Sequence, residues 1–227
     1  MSAKKRSSKA PTKIGVMVVD DHPVVREGLL ERLEREEDMT PRGDADTAAK
    51  ALETARKNRP DVAVVDLSLG EESGLELIQD LQEECPDLKI LVLTMHDGPM
   101  YAERVLRAGA RGFVTKDQGT GKVIEGIRKI VQGEIYMRDD LLQRVVSRLA
   151  DSGDRLRGEK GSQLTNRELE VLRLTGLGLS TRSIADKLKR SHKTIEAHKA
   201  NIKEKLKLED SEELLKYAIQ WVRMEDV

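Results

Sequence analysis

Four short apolar runs punctuate the first half of the chain: Ile14-Gly15-Val16-Met17-Val18-Val19, Val62-Ala63-Val64-Val65, Ile90-Leu91-Val92-Leu93 and Gly112-Phe113-Val114-Thr115. Runs this short, rich in β-branched residues and without polar alternation, read as strands buried on both faces. Between them apolar residues recur at helical spacing: Val24, Val25, Leu29, Leu30 and Leu33, then Ala48, Ala51, Leu52 and Ala55, then Leu75, Leu77, Ile78 and Leu81. These patterns predict helices after the first run, over about 46–58 and 74–84, and two more fit 99–108 and 120–132. Strand alternating with helix across 14–132 predicts βα units on a parallel sheet. Residues 39–45 make the poorest strand, because Pro41 cannot donate to a ladder; in the order 2-1-3-4-5 that strand lies at an edge, where proline is tolerated.

The pattern changes after residue 132. Residues 138–150 read as an amphipathic helix through Leu141, Leu142, Val145, Val146 and Leu149, and apolar residues then nearly vanish over 151–163, a charged linker. Four short helices follow. Thr165-Asn-Arg-Glu168 is a capping box ahead of Leu169, Val171, Leu172 and Leu174. Gly176-Leu-Gly178 breaks that helix, Ser180 caps the next (Ile184, Ala185, Leu188), and Lys189-Arg190-Ser191 makes the turn into a helix over 192–206. A last helix opens at Asp210 and carries Leu214, Leu215, Ala218, Ile219 and Trp221. Two short helices joined by a tight turn inside such a bundle form a helix-turn-helix.

Composition sharpens this division. A chain of 227 residues suits two small domains or one large one, and its net charge of −1 says nothing about partners. The distribution does: 14–117 is acid-rich, whereas 182–207 holds Arg182, Lys187, Lys189, Arg190, Lys193, Lys199, Lys203, Lys205 and Lys207, which suits a polyanion. The single cysteine, Cys85, excludes an intramolecular disulfide and, just before Pro86, reads as an inert thiol. No apolar stretch approaches the ~20 residues of a membrane span. Residues 1–13, with Lys4, Lys5, Arg6, Lys9 and Lys13, lack the apolar core of a signal peptide and read as a disordered basic tail of a cytoplasmic protein.

The strand ends carry the candidate chemistry. The first run stops at Asp20-Asp21, the second at Asp66, the third at Thr94 and the fourth at Lys116, so three carboxylates, a hydroxyl and an ammonium meet at one rim of one sheet. Three aspartates suit a hard cation that prefers oxygen, such as Mg²⁺, which commonly binds through one or two carboxylates plus phosphate oxygens. With the cation present Asp66 can attack phosphorus and form an aspartyl phosphate, with Lys116 and Thr94 receiving phosphoryl oxygens.

On these residues, 14–132 resembles a response-regulator receiver domain, with Asp20-Asp21 as the acidic pair, Asp66 as phosphoacceptor, Thr94 and Lys116 as its partners, and Gly74 eight residues after Asp66. The resemblance implies a flavodoxin-like α/β fold, a switch role for Phe113, and the Ser68 backbone carbonyl as a further Mg²⁺ ligand beside Asp20, Asp21 and Asp66. The family usually has Met-Pro where this chain has Leu69-Gly70, followed by Glu71-Glu72, a departure that bears on the rate of phosphorylation. Leu164–Leu172, Gly178–Ala185, Thr194–His198 and Asn201–Leu206 resemble the LuxR-type helix-turn-helix. Together the two halves resemble a NarL/FixJ-type two-component response regulator: receiver at 14–134, a segment with an amphipathic helix at 135–163, and a small all-α DNA-binding domain at 164–227. The implied partners are double-stranded DNA, a histidine kinase, RNA polymerase and, in the active state, a second copy.

Geometry gives the DNA-facing residues independently. At about 100° per residue, Ile195, Ile202 and Leu206 share one stripe, with His198 at its flank as a packed histidine. Lys193, Ala197, Ala200 and Glu204 face the other way, flanked by Glu196, Asn201 and Lys203. Alanines permit close approach to base edges, Glu196 can accept from a cytosine amino group, and Lys193, Thr194, Lys199 and Lys203 suit phosphates. With only His22, His96 and His192 besides, no zinc constellation is legible. A haloacid-dehalogenase-type phosphatase would want a second acid two residues after its nucleophile, where Ser68 stands. An autoinducer-binding LuxR protein would want aromatics in a pocket, and the chain is 2% aromatic. A regulator controlled by a protein partner without phosphorylation stays open through Leu69-Gly70.

Overall fold

A computed structural model describes residues 13–70, 72–95, 97–150, 164–188 and 190–225. Residues 1–12 of the basic tail, the 151–163 linker, residues 226–227, and Glu71, His96 and Lys189 lie outside the described residues. Two compact units emerge, one from residues up to Met95 together with Val105–Met137, the other from the segment ending at Arg104 together with the chain from Arg138 onward.

The first unit is the expected α/β fold. Strands β1 (Ile14–Val19), β2 (Met39–Ala45), β3 (Val62–Val65), β6 (Lys89–Thr94) and β7 (Gly112–Thr115) form one sheet in the order β2-β1-β3-β6-β7, all neighbours parallel. Between β3 and β6 a two-residue ladder, β4 (Ser68–Leu69) with β5 (Glu72–Ser73), makes a small separate hairpin. Counted without it, the order is 2-1-3-4-5. β2 is the edge strand, and it absorbs Pro41 with a bulge: Val16 pairs with Pro41 but Val18 with Asp44, one residue extra on β2.

Alternate residues of the sheet serve opposite faces. Val16, Val18, Val62, Val64, Leu91, Leu93 and Val114 form one core with Leu29 and Leu33 of α1 (Pro23–Glu34) and Val123, Ile124, Ile127 and Ile130 of α5 (Thr120–Val131). Met17, Ala63, Val65, Ile90 and Val92 are equally buried and fall on the other face. α2 (Ala48–Asn58) and α3 (Gly74–Glu84) contribute buried Ala51, Ala55, Leu77, Ile78 and Leu81. Each such Leu or Ile contributes about 1.5–3 kcal/mol by leaving water, so the apolar stripes rather than intrinsic propensity hold these helices. Val24 is the exception to the predicted stripe. It is 82% exposed, because it sits in the first turn of α1, just past Pro23 at the helix start, where the stripe has run off the sheet.

The second unit contains α6 (Asp139–Ala150), α7 (Asn166–Gly176), α8 (Thr181–Leu188), α9 (His192–Leu206) and α10 (Ser211–Glu225), with α4 (Pro99–Arg107) contributing its first two turns. Leu169, Leu172, Ile184, Ile195, Ile202, Leu214, Ala218 and Trp221 are buried. Two residues of the predicted apolar stripes, Val146 on α6 and Leu215 on α10, are instead exposed: each flanks a fully buried neighbour (Val145, Leu214) about 100° away around the helix.

Candidate functional site

Strand register builds the first site. Val19 pairs with Val65, and the Asp66 amide donates to the Val19 carbonyl at 2.9 Å, so the residues that follow, Asp20 and Asp66, emerge side by side. Thr94 pairs with Thr115, which places Lys116 one step beyond the end of β7. A single 3₁₀ turn, Lys116–Gln118, follows at once, with the Thr115 amide donating to Gln118 Oε1 at 3.2 Å, and it turns the Lys116 side chain back over the rim. The Lys116 Nζ lies 2.7 Å from both Asp66 Oδ2 and Asp20 Oδ2. Asp20, Asp66 and Thr94 are buried.

Charge decides what this pocket accepts. Asp66 Oδ1 receives the Ser68 amide at 3.1 Å, yet burial, offset only in part by Lys116 and reinforced by Asp20, pushes its carboxyl up to about 6. For Lys116, burial pulls its pKa down, but the Asp66 and Asp20 carboxylates outweigh that and raise it. Asp21 joins from the loop: its Oδ2 accepts the Gly70 amide at 3.0 Å. Three carboxylates thus face one ammonium. The excess negative charge, with side-chain ligand atoms of Asp20, Asp21, His22 and Asp66 all within 4.8 Å of one another, fits a divalent cation.

His22 is the member sequence reasoning did not include. The legible signal was its place between the acidic pair and Pro23. A residue before proline is driven to extended backbone, and His22 sits at φ −90°, ψ 109° in the position just ahead of α1, its side chain making no capping hydrogen bond to the helix. Phe113, the expected switch aromatic, is packed inside at 2% exposure. Ser68 lies in the β4–β5 ladder opposite Ser73.

In the second unit, Glu168 is the organising residue. Its backbone amide donates to Thr165 Oγ1 (3.2 Å) while its Oε2 accepts from the Thr165 amide (2.7 Å), completing the predicted capping box. The same carboxylate receives Lys205 Nζ at 2.7 Å, tying the start of α7 to the last turn of α9. Burial would raise the Glu168 pKa, but Lys205 and Thr165 more than offset this and lower it. The Ser191 hydroxyl accepts the Thr194 amide at 3.0 Å and begins α9. Ile195, Ile202 and Leu206 then point inward, leaving Lys193, Glu196, Ala197, Ala200 and Asn201 exposed along the outer face. Lys203 is half-buried, and so is His198, whose pKa burial lowers. Lys199 differs from its neighbours: its ammonium bonds Thr181 Oγ1 on α8 at 3.0 Å. Thr194 shares a hydroxyl hydrogen bond of 2.7 Å with Ser191.

Comparison with known proteins matches both halves. The family model of the response regulator receiver domain covers residues 16–128, and that of the bacterial regulatory proteins of the luxR family covers 162–218. The oxygen regulatory protein NreC of Staphylococcus epidermidis is 37% identical over 210 residues, spanning 90% of this chain and 96% of the relative. The chain belongs to the NarL/FixJ-type response regulators. Another relative of this response regulator is the transcriptional regulatory protein DegU of Brevibacillus brevis, 31% identical over 227 residues, covering 93% and 96%. A solved structure of Salmonella typhimurium RcsB matches with a TM-score of 0.58 at 29% identity, covering 93% of this chain and 98% of that one. An RcsB–DNA complex matches with a TM-score of 0.55 at 28% identity, covering 91% and 98%. This response regulator therefore carries a receiver domain and a LuxR-type DNA-binding domain. Among its described residues no helix is long and apolar enough to cross a membrane.

Proposed function

We propose that Mg²⁺-dependent phosphorylation of Asp66 by a histidine kinase controls sequence-specific DNA binding by α9, and through it transcription. The observation that carries this reading is the half-buried Lys116 ammonium shared at 2.7 Å between the buried carboxylates of Asp66 and Asp20. Such a group neutralises charge where a phosphoryl oxygen would arrive.

Asp20, Asp21 and Asp66, with the Ser68 carbonyl, would hold the cation, which when bound supplies charge neutralisation for an incoming phosphoryl group. An Asp66 carboxylate oxygen attacks phosphorus. An O–P bond forms, the P–N bond of a phosphohistidine donor breaks, and its electron pair returns to the imidazole nitrogen. Lys116 then pairs with one phosphoryl oxygen and the Thr94 hydroxyl donates to another, drawing the end of β6 inward, with Phe113 on neighbouring β7 as the second switch residue. The modified receiver favours a homodimer on paired half-sites and contact with RNA polymerase.

On the DNA side, Lys193, Thr194, Lys199 and Lys203 hold phosphates while Glu196, Ala197, Ala200 and Asn201 approach base edges in the major groove. The Lys199–Thr181 hydrogen bond gives that lysine a braced position from which to meet a phosphate.

The deciding experiment is intact mass after incubation with a small phosphodonor, with and without Mg²⁺, beside Asp66→Asn. A Mg²⁺-dependent gain of one phosphoryl group that the variant lacks is expected, together with tighter operator binding. No gain under any condition overturns the reading in favour of control by a protein partner.

A further inference from the structure

The imidazole of His22 is aimed into the acidic pocket rather than away from it. Its Nδ1 lies 2.7 Å from Asp21 Oδ1 and 3.2 Å from Asp20 Oδ1. The backbone holds it there on both sides. The His22 amide donates to Asp20 Oδ1 at 2.8 Å, and Pro23 opens α1 directly after it, so few backbone conformations remain open to the residue. The His22 side chain is 58% exposed while that of Asp20 is 2% exposed, so the ring stands at the mouth of the pocket with water on its outer side.

We propose that His22 is a nitrogen ligand of this pocket, and that Asp20, Asp21, His22 and Asp66 accept divalent transition ions of the cobalt, nickel and zinc class as well as Mg²⁺. This rests on reading the pocket as a divalent-cation site. The distances fit the coordination polyhedron. With metal–ligand bonds of about 2.1 Å, neighbouring donors of an octahedron stand about 3 Å apart and opposite ones about 4.2 Å. The two Nδ1–carboxylate distances match edges of such a polyhedron, and the side-chain donors, all within 4.8 Å of one another, need draw together by only about half an ångström to reach its diagonals. The donor type then separates the ions. Mg²⁺ is hard, keeps its waters and takes oxygen, so it gains nothing from an imidazole. Later first-row ions bind imidazole readily. His22 therefore leaves Mg²⁺ affinity alone and raises affinity for the competing ions, which makes the receiver's cation occupancy responsive to transition-metal supply.

The test uses the full chain without a polyhistidine tag. Isothermal titration with Mg²⁺ and separately with Co²⁺ is run on wild type, His22→Ala and His22→Gln, and the proteins loaded with Cu²⁺, a later first-row ion that is paramagnetic and takes imidazole, are examined by electron spin-echo spectroscopy for ¹⁴N coupling. Both variants are expected to lose at least tenfold in Co²⁺ affinity, to change less than twofold for Mg²⁺, and to lose a ¹⁴N modulation present in wild type. Parallel losses for both ions, no loss for either, or a ¹⁴N signal that survives substitution would overturn the proposal. Tight, His22-dependent Co²⁺ binding without measurable Mg²⁺ binding would support it while contradicting the Mg²⁺ reading above. Absence of binding by either ion would sink both.

Discussion

The Gly70 amide donates a 3.0 Å hydrogen bond to Asp21 Oδ2, across 49 residues of chain. Gly70 holds φ +59°, which a proline cannot adopt, and a proline has no N–H to give. Where the family usually has proline, this chain thus fixes one of its acidic residues from the β4–β5 hairpin. Replacing Gly70 by Pro should weaken Mg²⁺ binding roughly threefold, because Asp21 loses preorganisation. Gly70→Ala keeps the donor; it should cost about 1 kcal/mol of stability for the left-handed backbone and leave Mg²⁺ affinity unchanged. Calorimetric titration of both variants separates the two effects.

Asp66 predicts a pH dependence. Its carboxyl, near 3.8 when unfolded, is raised by burial to about 6, so between those values the folded chain keeps a proton that the unfolded chain has released. This contribution to stability is complete below the unfolded value and disappears as pH rises through about 6. Asp66→Asn, which cannot ionise, should match wild type near pH 4 and exceed it above pH 7 by at most ~3 kcal/mol, the equivalent of a shift of about two units. Urea unfolding followed by exchange of the Val64 and Val65 amides reads this out. Phosphorylation of wild type at limiting Mg²⁺ should correspondingly slow as pH falls through about 6.

Lys116→Met removes the one ammonium that bridges Asp20 and Asp66 among the described side chains. Losing one partner of a buried ion pair costs about 3–5 kcal/mol. Thermal unfolding without divalent cation should show a large loss that millimolar Mg²⁺ partly restores. A variant as stable as wild type in chelator would show that the lysine is not what balances the aspartates.

Glu168→Gln tests the anchoring of α9. It keeps a capping side chain at α7 but gives up the charge that pairs with Lys205. We expect about 2 kcal/mol of destabilisation, confined to amides of α7 and α9 in hydrogen exchange, and weaker binding to every DNA sequence alike.

The outer face of α9 separates two kinds of contact. Lys193→Ala should weaken binding uniformly and reduce the slope of log affinity against log salt by about one. Glu196→Ala should leave that slope unchanged or strengthen binding, while relaxing preference at one base pair by about 1–3 kcal/mol. An unchanged preference in a randomised-operator selection would remove Glu196 from the groove.

How much was legible follows from how local each determinant is. The parallel sheet could be read because each strand is a continuous apolar run ending in a polar residue, and Pro41 pointed correctly to the edge. Asp20, Asp66, Thr94 and Lys116 could be placed together because strand ends define a rim whatever the helices do. The β4–β5 hairpin was not visible: two-residue ladders leave no periodicity, and this one is braced by Asp21 from a distant loop. Val24, Val146 and Leu215 fit the helical spacing but lie outside the buried stripe, whose width is set by neighbouring elements. The direction of the His22 ring and the hydrogen bond between Lys199 and Thr181 are tertiary facts without a local signature.

Gly74 opens α3 directly behind the nucleophile, its amide bonded to the Leu67 carbonyl at 3.1 Å. A methyl group there would stand 2.3 Å from the Asp66 carbonyl oxygen and 2.6 Å from Leu67 Cα. Natural drift therefore has no easy single-residue step at this position, since even the smallest side chain would push on the Asp66–Leu67 backbone from which the reacting carboxylate projects. Novelty in descendants of this protein has to enter from the solvent side of Asp66, through the loops bearing His22 and Gly70, where changes alter the ion and the rate without disturbing the floor beneath them.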